Sequence, residues 1–341
     1  MIKKFPLFTG LNPKRASILI LTLWVLAFLG MFGLYLNQGI RQKLALVKNL
    51  SFRSNLHYIA DAGVKRSIIQ LVKDKTDFDC LNDVWSNNIS VFEDMPVGLG
   101  KAVVYYEFTN PQGGKEERYG LIDEERKLNI NTASRLNIEN LIEVTTKIEE
   151  VQAQEIAAAI VDWRDADSEL SIPLGSAEDS YYDSLEEPYN CKDDNFQVLE
   201  EVLLVKGMND FIFERLKDFI TIYGDGKVNI NTAPLEVLMA LEVDERIAEK
   251  LIEFRAGDDK TEGTSDDHFF QTIQEVVSEL SAFANLSESE VACLERLVSL
   301  ELITTSSMNY TVRVRAEIGQ MSRKLVCVVN KKGRFVSWQE P

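Results

Sequence analysis

The densest chemistry in this sequence is carboxylate. Between Asp165 and Glu201 stand twelve acids and a single base, Lys192. The stretch contains Pro and Gly and lacks a helical period, so it reads as a loop. Like charges crowded into one loop repel unless water or a cation neutralises them. Calcium takes about six to eight oxygens from carboxylates, carbonyls and waters in flexible surroundings. The loop is therefore either a solvated acidic surface or a calcium site, and it has no EF-hand pattern. A second acidic loop holds Asp258, Asp259, Glu262, Asp266 and Asp267, with Gly257 and Gly263 easing its turns. The same two readings apply there. His268, beside it, reads as a surface residue.

Other chemistries are poorly supplied. The two histidines, His57 and His268, argue against a histidine-built zinc site and against His-based acid–base work. No GxSxG, GxxxxGK[ST] or HExxH occurs. The paired acids sit in highly charged loops without the apolar surroundings that tune an acid–base pair. The expectation is a structural and assembly protein with no catalytic residues, not an enzyme. Four cysteines show no CxxC spacing. Cys293 and Cys327 read as buried free thiols, and Cys80 with Cys191, both in looser text, is one of three complete connectivities, so pairing stays open. A net charge of −17 makes the chain a poor general nucleic-acid binder.

The elements that must position these loops begin with a hydrophobic segment. Residues 16–40, between Arg15 and Arg41, carry no charge. That is long enough to span a bilayer as a helix, where about 20 apolar residues suffice. Lys3, Lys4, Lys14 and Arg15 precede it without an acid, which places the N-terminus in the cytoplasm and the rest outside. A cleaved secretory signal would have a shorter apolar core, and a plain signal anchor fits the composition. The text continues without a breaker to Lys73, and Ala60, Val64, Ile68 and Leu71 form a helical stripe. One helix from Ser17 to about Lys73 is expected, its outer part needing a folded partner. KAVVYYEF at 101–108 reads as a strand. It would pair with 117–123 across the turn at Asn110–Gly114. Residues 310–318 alternate apolar and polar as a half-buried strand, with further strands at 324–330 and 334–338. Strands thus flank a helical stretch. The fold class is α+β, an antiparallel sheet on the long N-terminal helix with a helical domain inserted between strands.

That insert contains a repeat. Asn129-Ile-Asn-Thr-Ala133 recurs as Asn229-Ile-Asn-Thr-Ala233, followed in turn by AIVDWRDAD and KLIEFRAGD. Thr132 and Thr232 read as helix caps, with Pro234 in the first turn. The repeat also resembles helix-hairpin-helix DNA-binding modules. The hairpins here lack glycine and carry acids, so the phosphate cradle is missing.

KRASILILTLWVL at 14–26 and YIADAGVKRSIIQLV at 58–72 resemble the N-terminal region of bacterial type IV pilin-like proteins. With WRDAD, GSAEDSYY and PYN they resemble, more narrowly, the K-type minor pseudopilin of type II secretion systems. The resemblance runs from residue 14 to the end. It implies a leader at 1–16, cut between Ala16 and Ser17 by the prepilin leader peptidase, with N-methylation of Ser17. Ala16 stands where most members have glycine. It implies a membrane half at 17–40, a pilin-like domain at 41–125 and 306–341, and an inserted helical domain at 126–305. Leu21 would be the fifth mature residue, where most pilins carry glutamate. K-type members lack that glutamate, as befits a subunit with none ahead of it. The insert is a calcium-binding domain in that family, and the matched positions are Asp165, Asp167, Glu178 and Asp179, then Asp183. The implied function is a pseudopilus tip that initiates assembly with sibling I-type and J-type pseudopilins on the inner-membrane secretion platform. It would sit in the bacterial inner membrane as a single pass with a periplasmic head. The alternatives are a minor pilin of a related type IV pilus, or a membrane-anchored DNA-uptake protein using the repeat.

Overall fold

The computed structural model describes the backbone of residues 13–109 and 114–339, with side chains from Ile18 onward. Most of the hairpin turn expected at Asn110–Gly114, and residues 1–12 of the leader, lie outside the described residues.

Helix α1 spans Pro13–Lys73. The chain divides into two compact units, Met1–His57 and Tyr58–Pro341. In the first, Leu21, Trp24, Phe28 and Leu34 are all exposed on α1. It is the one helix among the described residues long and apolar enough to cross a membrane.

In the second unit the end of α1 is amphipathic. Ala60, Val64 and Leu71 are fully buried, on the stripe that the sequence shows. Gly63 lets the helix approach a sheet closely. A Cβ there would lie 2.7 Å from Val314 Cγ1 and 3.3 Å from Ala102 Cβ.

After α1 come a single turn, α2 (Ile89–Phe92), and strands β1 (Met95–Val97), β2 (Gly100–Val104), β3 (Tyr106–Thr109), β4 (Lys115–Arg118) and β5 (Ile122–Asp123). The inserted stretch begins with β6 (Leu128–Asn129), α3 (Arg135–Thr146), α4 (Glu150–Arg164), α5 (Asp179–Tyr182) and α6 (Asp210–Leu216). It continues through β7 (Ile220–Thr221), β8 (Val228–Asn229), α7 (Leu235–Ala240), α8 (Glu245–Arg255), α9 (Val276–Phe283), α10 (Glu288–Ser299) and β9 (Ile303–Thr304). The chain then returns to the sheet with β10 (Asn309–Ile318), β11 (Met321–Asn330) and β12 (Phe335–Gln339).

The main sheet is antiparallel in the order β1-β2-β10-β11-β12, with β5 also on β10. β10 and β11 pair along their full length, from Asn309 with Asn330 to Ile318 with Met321. Tyr310, Val312, Val314 and Ala316 are buried, as their alternation with polar residues requires. The expected single strand at 101–108 is instead two. Val104 pairs with Val314, but β5 takes the next part of β10 by pairing Ile122 with Thr311. β3 therefore leaves the sheet after Tyr105 and pairs with β4, Tyr106 opposite Arg118.

The insert leaves after β5, re-enters at β10, and has one large core in which Ile142, Ile160, Val237, Leu251 and Leu294 are fully buried. Its repeat is structural. β6 lies parallel to β7, and β8 parallel to β9. In each turn the first Asn accepts from the second, Asn131 N–H to Asn129 Oδ1 at 2.9 Å and Asn231 N–H to Asn229 Oδ1 at 3.0 Å. The second Asn then grips a distant backbone, Asn131 that of Phe196 and Asn231 that of Phe270. The caps differ from expectation. Thr132 and Thr232 are held inside the turns, so Ser134 caps α3 and Pro234 occupies the N-cap of α7. In the hairpins, left-handed backbone falls on Lys147 (φ 56°) and Glu242 (φ 62°).

The junction of insert and sheet is rich in buried acid. Asp79, Asp123, Glu124 and Glu125 are each at most 5% exposed. Asp123 accepts from Thr232, Ser307 and Asn229. Glu124 accepts from Lys127, Thr221 and Thr311, and Glu125 from Asn309. Asp79 accepts from Ser307 N–H, Tyr310 and Lys331. All four cysteines are free. Cys80 and Cys191 do not pair, and the two lie in different surroundings. Cys80 N–H bonds Asp83 after α1, and Cys191 Sγ faces the Asp162 carbonyl inside the insert.

Candidate metal centre

The first acidic loop starts from a fixed point. Arg164, the last residue of α4, donates to the Ile130 and Ala133 carbonyls of the first Asn-Ile-Asn-Thr-Ala turn. Asp165 follows in extended backbone, its N–H on Val161 O at 3.0 Å. The far side of the loop is pinned by aromatic packing. Tyr182 is fully buried, edge-on to Trp163 at 5.1 Å, with Tyr189 also against both rings. Lys206 Nζ donates to the carbonyls of Gly175 and Ser176, at 2.8 and 3.1 Å. Glu178 stands just before α5, and is 5% exposed.

These anchors gather carboxylates. Asp165, Asp167 and Glu178 each bring an oxygen within 4.8 Å of the others. Glu178 also shares a group of the same compactness with Cys191 and Asp193. Burial, then the charges of Asp162, Asp165, Asp193 and Asp167, pushes the Glu178 carboxyl up to about 7. Burial, then Asp167 and Asp162, also raises Asp165. Asp165 Oδ1 and Glu178 Oε1 are buried without a hydrogen-bond partner. Leaving such an oxygen unpaired costs about 1–3 kcal/mol, more when charged. A hard divalent cation would satisfy these oxygens and cancel their repulsion, so the residues present fit calcium.

Residues 123–225 match the sequence model of the family described as Type II secretion system (T2SS), protein K. That stretch, under a third of the chain, is similar to a type II secretion protein K domain. Its span contains the whole acidic centre. Two curated relatives carry the name Type II secretion system protein K. The one from Aeromonas hydrophila is 33% identical over 103 residues, which is 29% of this chain and 31% of the relative. The one from Pseudomonas aeruginosa is 28% identical over 229 residues, 63% of this chain and 65% of the relative. The chain thus spans less than two thirds of either relative's length. A solved structure, the GspK-GspI-GspJ complex from the enterotoxigenic Escherichia coli Type 2 Secretion System, contains a chain of the same fold. The match has a TM-score of 0.63 at 16% identity, covering 87% of this chain and 99% of that one. The pilin-like fold and the K-type resemblance read from the sequence both stand.

Within the K domain the expected residues divide. Asp165, Asp167 and Glu178 converge. Asp179 is half-buried and accepts the Cys191 N–H at 2.8 Å, so it braces the loop. Asp183 is exposed at the C-cap of α5 and lies outside both groups. Two residues that the sequence reading did not single out belong to the centre. Asp162 is fully buried on α4, its carboxylate accepting from Ser171 N–H, and Asp193 is exposed and shares a group with Glu178. Ala16 and Ser17 fall on the first turns of α1, and their side chains lie outside the described residues.

In the second acidic loop, beyond the K-domain match, an arginine and local N–H donors engage Glu262, Asp266 and Asp267. Arg255 repeats the role of Arg164, donating to Ile230 O at 2.9 Å and Ala233 O at 2.8 Å. It also pairs with buried Glu262, which Arg164 has no counterpart for. Asp266 and Asp267 accept from Asp259 N–H, Gly263 N–H and Thr264 N–H. Hydrogen bonds from Thr264 and from backbone hold Asp266 below the usual carboxylate range. Among the described residues no compact group of three ligand atoms forms in this loop.

Proposed function

We propose that this chain is a minor pseudopilin that caps the type II secretion pseudopilus. The observation that carries the reading is a K domain inserted between β5 and β10 of a pilin-like sheet. The apolar start of α1 anchors the chain in the inner membrane, with its N-terminus cytoplasmic and its head periplasmic. The leader peptidase cuts between Ala16 and Ser17, and Ser17 is methylated. Leu21 in place of an acid suits a subunit with no amine ahead of it to neutralise. The chain initiates assembly with sibling minor pseudopilins on the secretion platform and works as a structural protein, supporting export across the outer membrane. The solved complex joins proteins named GspK, GspI and GspJ, and its fold match supports the same kind of partnership here.

Calcium is the resident ion in this reading. Asp165, Asp167 and Glu178 would hold it, with Asp193 beside them. The ion supplies positive charge, and the chain supplies a preformed cage. Asp162 and Lys206 fix the loop's path, Asp179 ties it to the segment at Cys191, and the Trp163–Tyr182–Tyr189 cluster excludes water from one side.

Intact mass of the protein from membranes containing its own leader peptidase tests the assembly reading. The expected chain begins at methylated Ser17 and co-purifies with sibling pseudopilins. An intact Met1 with no such partner would overturn it. Calcium is tested on the full chain in detergent. Millimolar calcium against EGTA raises the melting temperature, since a ligand at 100 times its Kd adds about 2.7 kcal/mol. Superimposable melts would remove calcium from the account.

A further inference from the structure

Glu178 faces two sets of neighbours, and calcium uses only one of them. One group joins it to oxygens of Asp165 and Asp167. A second group joins Glu178 to Cys191 Sγ and an Asp193 oxygen, again with all three ligand atoms within 4.8 Å. A sulfur ligand is of little use to calcium, which selects hard oxygen donors. It suits zinc and other thiophilic divalent ions, which bind Cys, Asp and Glu readily.

A lone cysteine makes no site, but this one does not stand alone. Glu178 is buried, its Oε1 has no hydrogen-bond partner, and it offers an oxygen to the thiol's group. The Cys191 side chain is held in place. Its N–H is fixed by Asp179 at 2.8 Å, and Sγ lies 3.5 Å from the Asp162 carbonyl. Asp193 is exposed and gives the group an opening to solvent, so a fourth position is open to water.

We infer that Glu178, Cys191 and Asp193 form a site for a thiophilic divalent cation of the zinc class. This goes beyond the calcium reading and shares with it the ligand Glu178, with Asp193 beside both groups. On binding, the Cys191 thiol loses its proton to solvent and the thiolate bonds the metal, with no oxidant required.

The test uses the full chain in detergent with reductant and cadmium as the spectroscopic probe for zinc. Cadmium is expected to produce one equivalent of thiolate-to-metal charge-transfer absorption. Cys191→Ser loses that band, whereas Cys80→Ser and Cys293→Ser keep it. Asp165→Asn with Asp167→Asn loses the calcium-dependent rise in melting temperature and retains the cadmium band. Cys191→Ser does the reverse, so failure of the calcium reading and failure of this one are distinguishable. A measurement without mutation guards against misfolding. Zinc should protect Cys191 of the wild-type protein from alkylation, read by peptide mass, and calcium at the same concentration should protect it less. A cadmium band that survives Cys191→Ser, or equal Cys191 labelling with and without zinc, would overturn the inference.

Discussion

A carboxyl that is 5% exposed, with Asp162, Asp165, Asp167 and Asp193 around it, keeps its proton up to about neutral pH. Glu178 is thus raised in the fold from an ordinary 4.5 to about 7. Its contribution to stability is complete below the unfolded value and is lost as pH rises through about 7. The calcium-free protein should therefore weaken between pH 4.5 and 7, and calcium should cancel that loss by favouring the ionised form. Glu178→Gln keeps the shape and removes the charge. In EGTA at pH 7.5 the variant should melt higher than wild type, by about 1–3 kcal/mol in stability. In calcium it should show no further rise. A variant that melts lower in EGTA and still responds to calcium would count against Glu178 as the ligand that matters. Resemblance to K-type proteins pointed to Asp165, Asp167 and Glu178 along the chain. It did not point to Asp193 or Cys191. They lie across an irregular stretch with no period, and only the fold of that stretch onto Trp163 and Tyr182 brings them to Glu178.

The repeated Asn-Ile-Asn-Thr-Ala element is legible as a duplication but not as a device. Its residue types read as caps, and the structure uses them as a turn closed by one Asn side chain and latched by the next. The first Asn of each copy differs in what it reaches. Asn129 Nδ2 donates to the Tyr223 and Gly224 carbonyls. Asn229 Nδ2 is fully buried among Asp79 O, Asp123 Oδ2 and Ser307 Oγ. Removing it leaves several buried acceptors short of a donor, one of them a carboxylate. Asn229→Ala should cost about 2–4 kcal/mol and Asn129→Ala about half as much. Chemical denaturation of both variants checks the order, and equal losses would show that the junction draws nothing extra from Asn229. The split at Tyr105 was illegible for a related reason. Alternation marks 101–108 as one strand, but only the pairing of β5 with β10 shows that no partner is left for its second half.

At the scale of the whole folded unit, two chain crossings and a buried acidic network join the insert to the sheet. The α+β class and the insertion were legible because strands flank helical text. The network was not, since three consecutive acids, Asp123, Glu124 and Glu125, carry no pattern that marks them as buried. Each is stabilised differently. Burial pushes Glu124 up, but Lys127 and the Thr221 and Thr311 hydroxyls outweigh it and hold the carboxyl low. Burial raises Asp123 to about 6, against hydrogen bonds from Thr232 and Ser307 and with the charge of Asp79 adding to it. Burial and then the Asp123 charge raise Glu125 to about 8. Both raised groups contribute stability that is complete below their unfolded values and is lost as pH climbs through 6 and then 8. Glu124 works in the opposite sense, and its contribution disappears only as pH falls through its lowered value. Calcium-saturated protein should therefore lose stability from about pH 4 to about pH 8, at up to about 1.4 kcal/mol per pH unit for each proton released. Glu125→Gln should remove the loss that remains between pH 6 and 8, because the amide cannot ionise against Asp123. It should also keep the bond from Asn309 N–H through its carbonyl oxygen. Melting curves of wild type and variant across that range decide the matter. Parallel profiles would mean that Glu125 titrates as an ordinary surface acid and that the junction is held by packing alone.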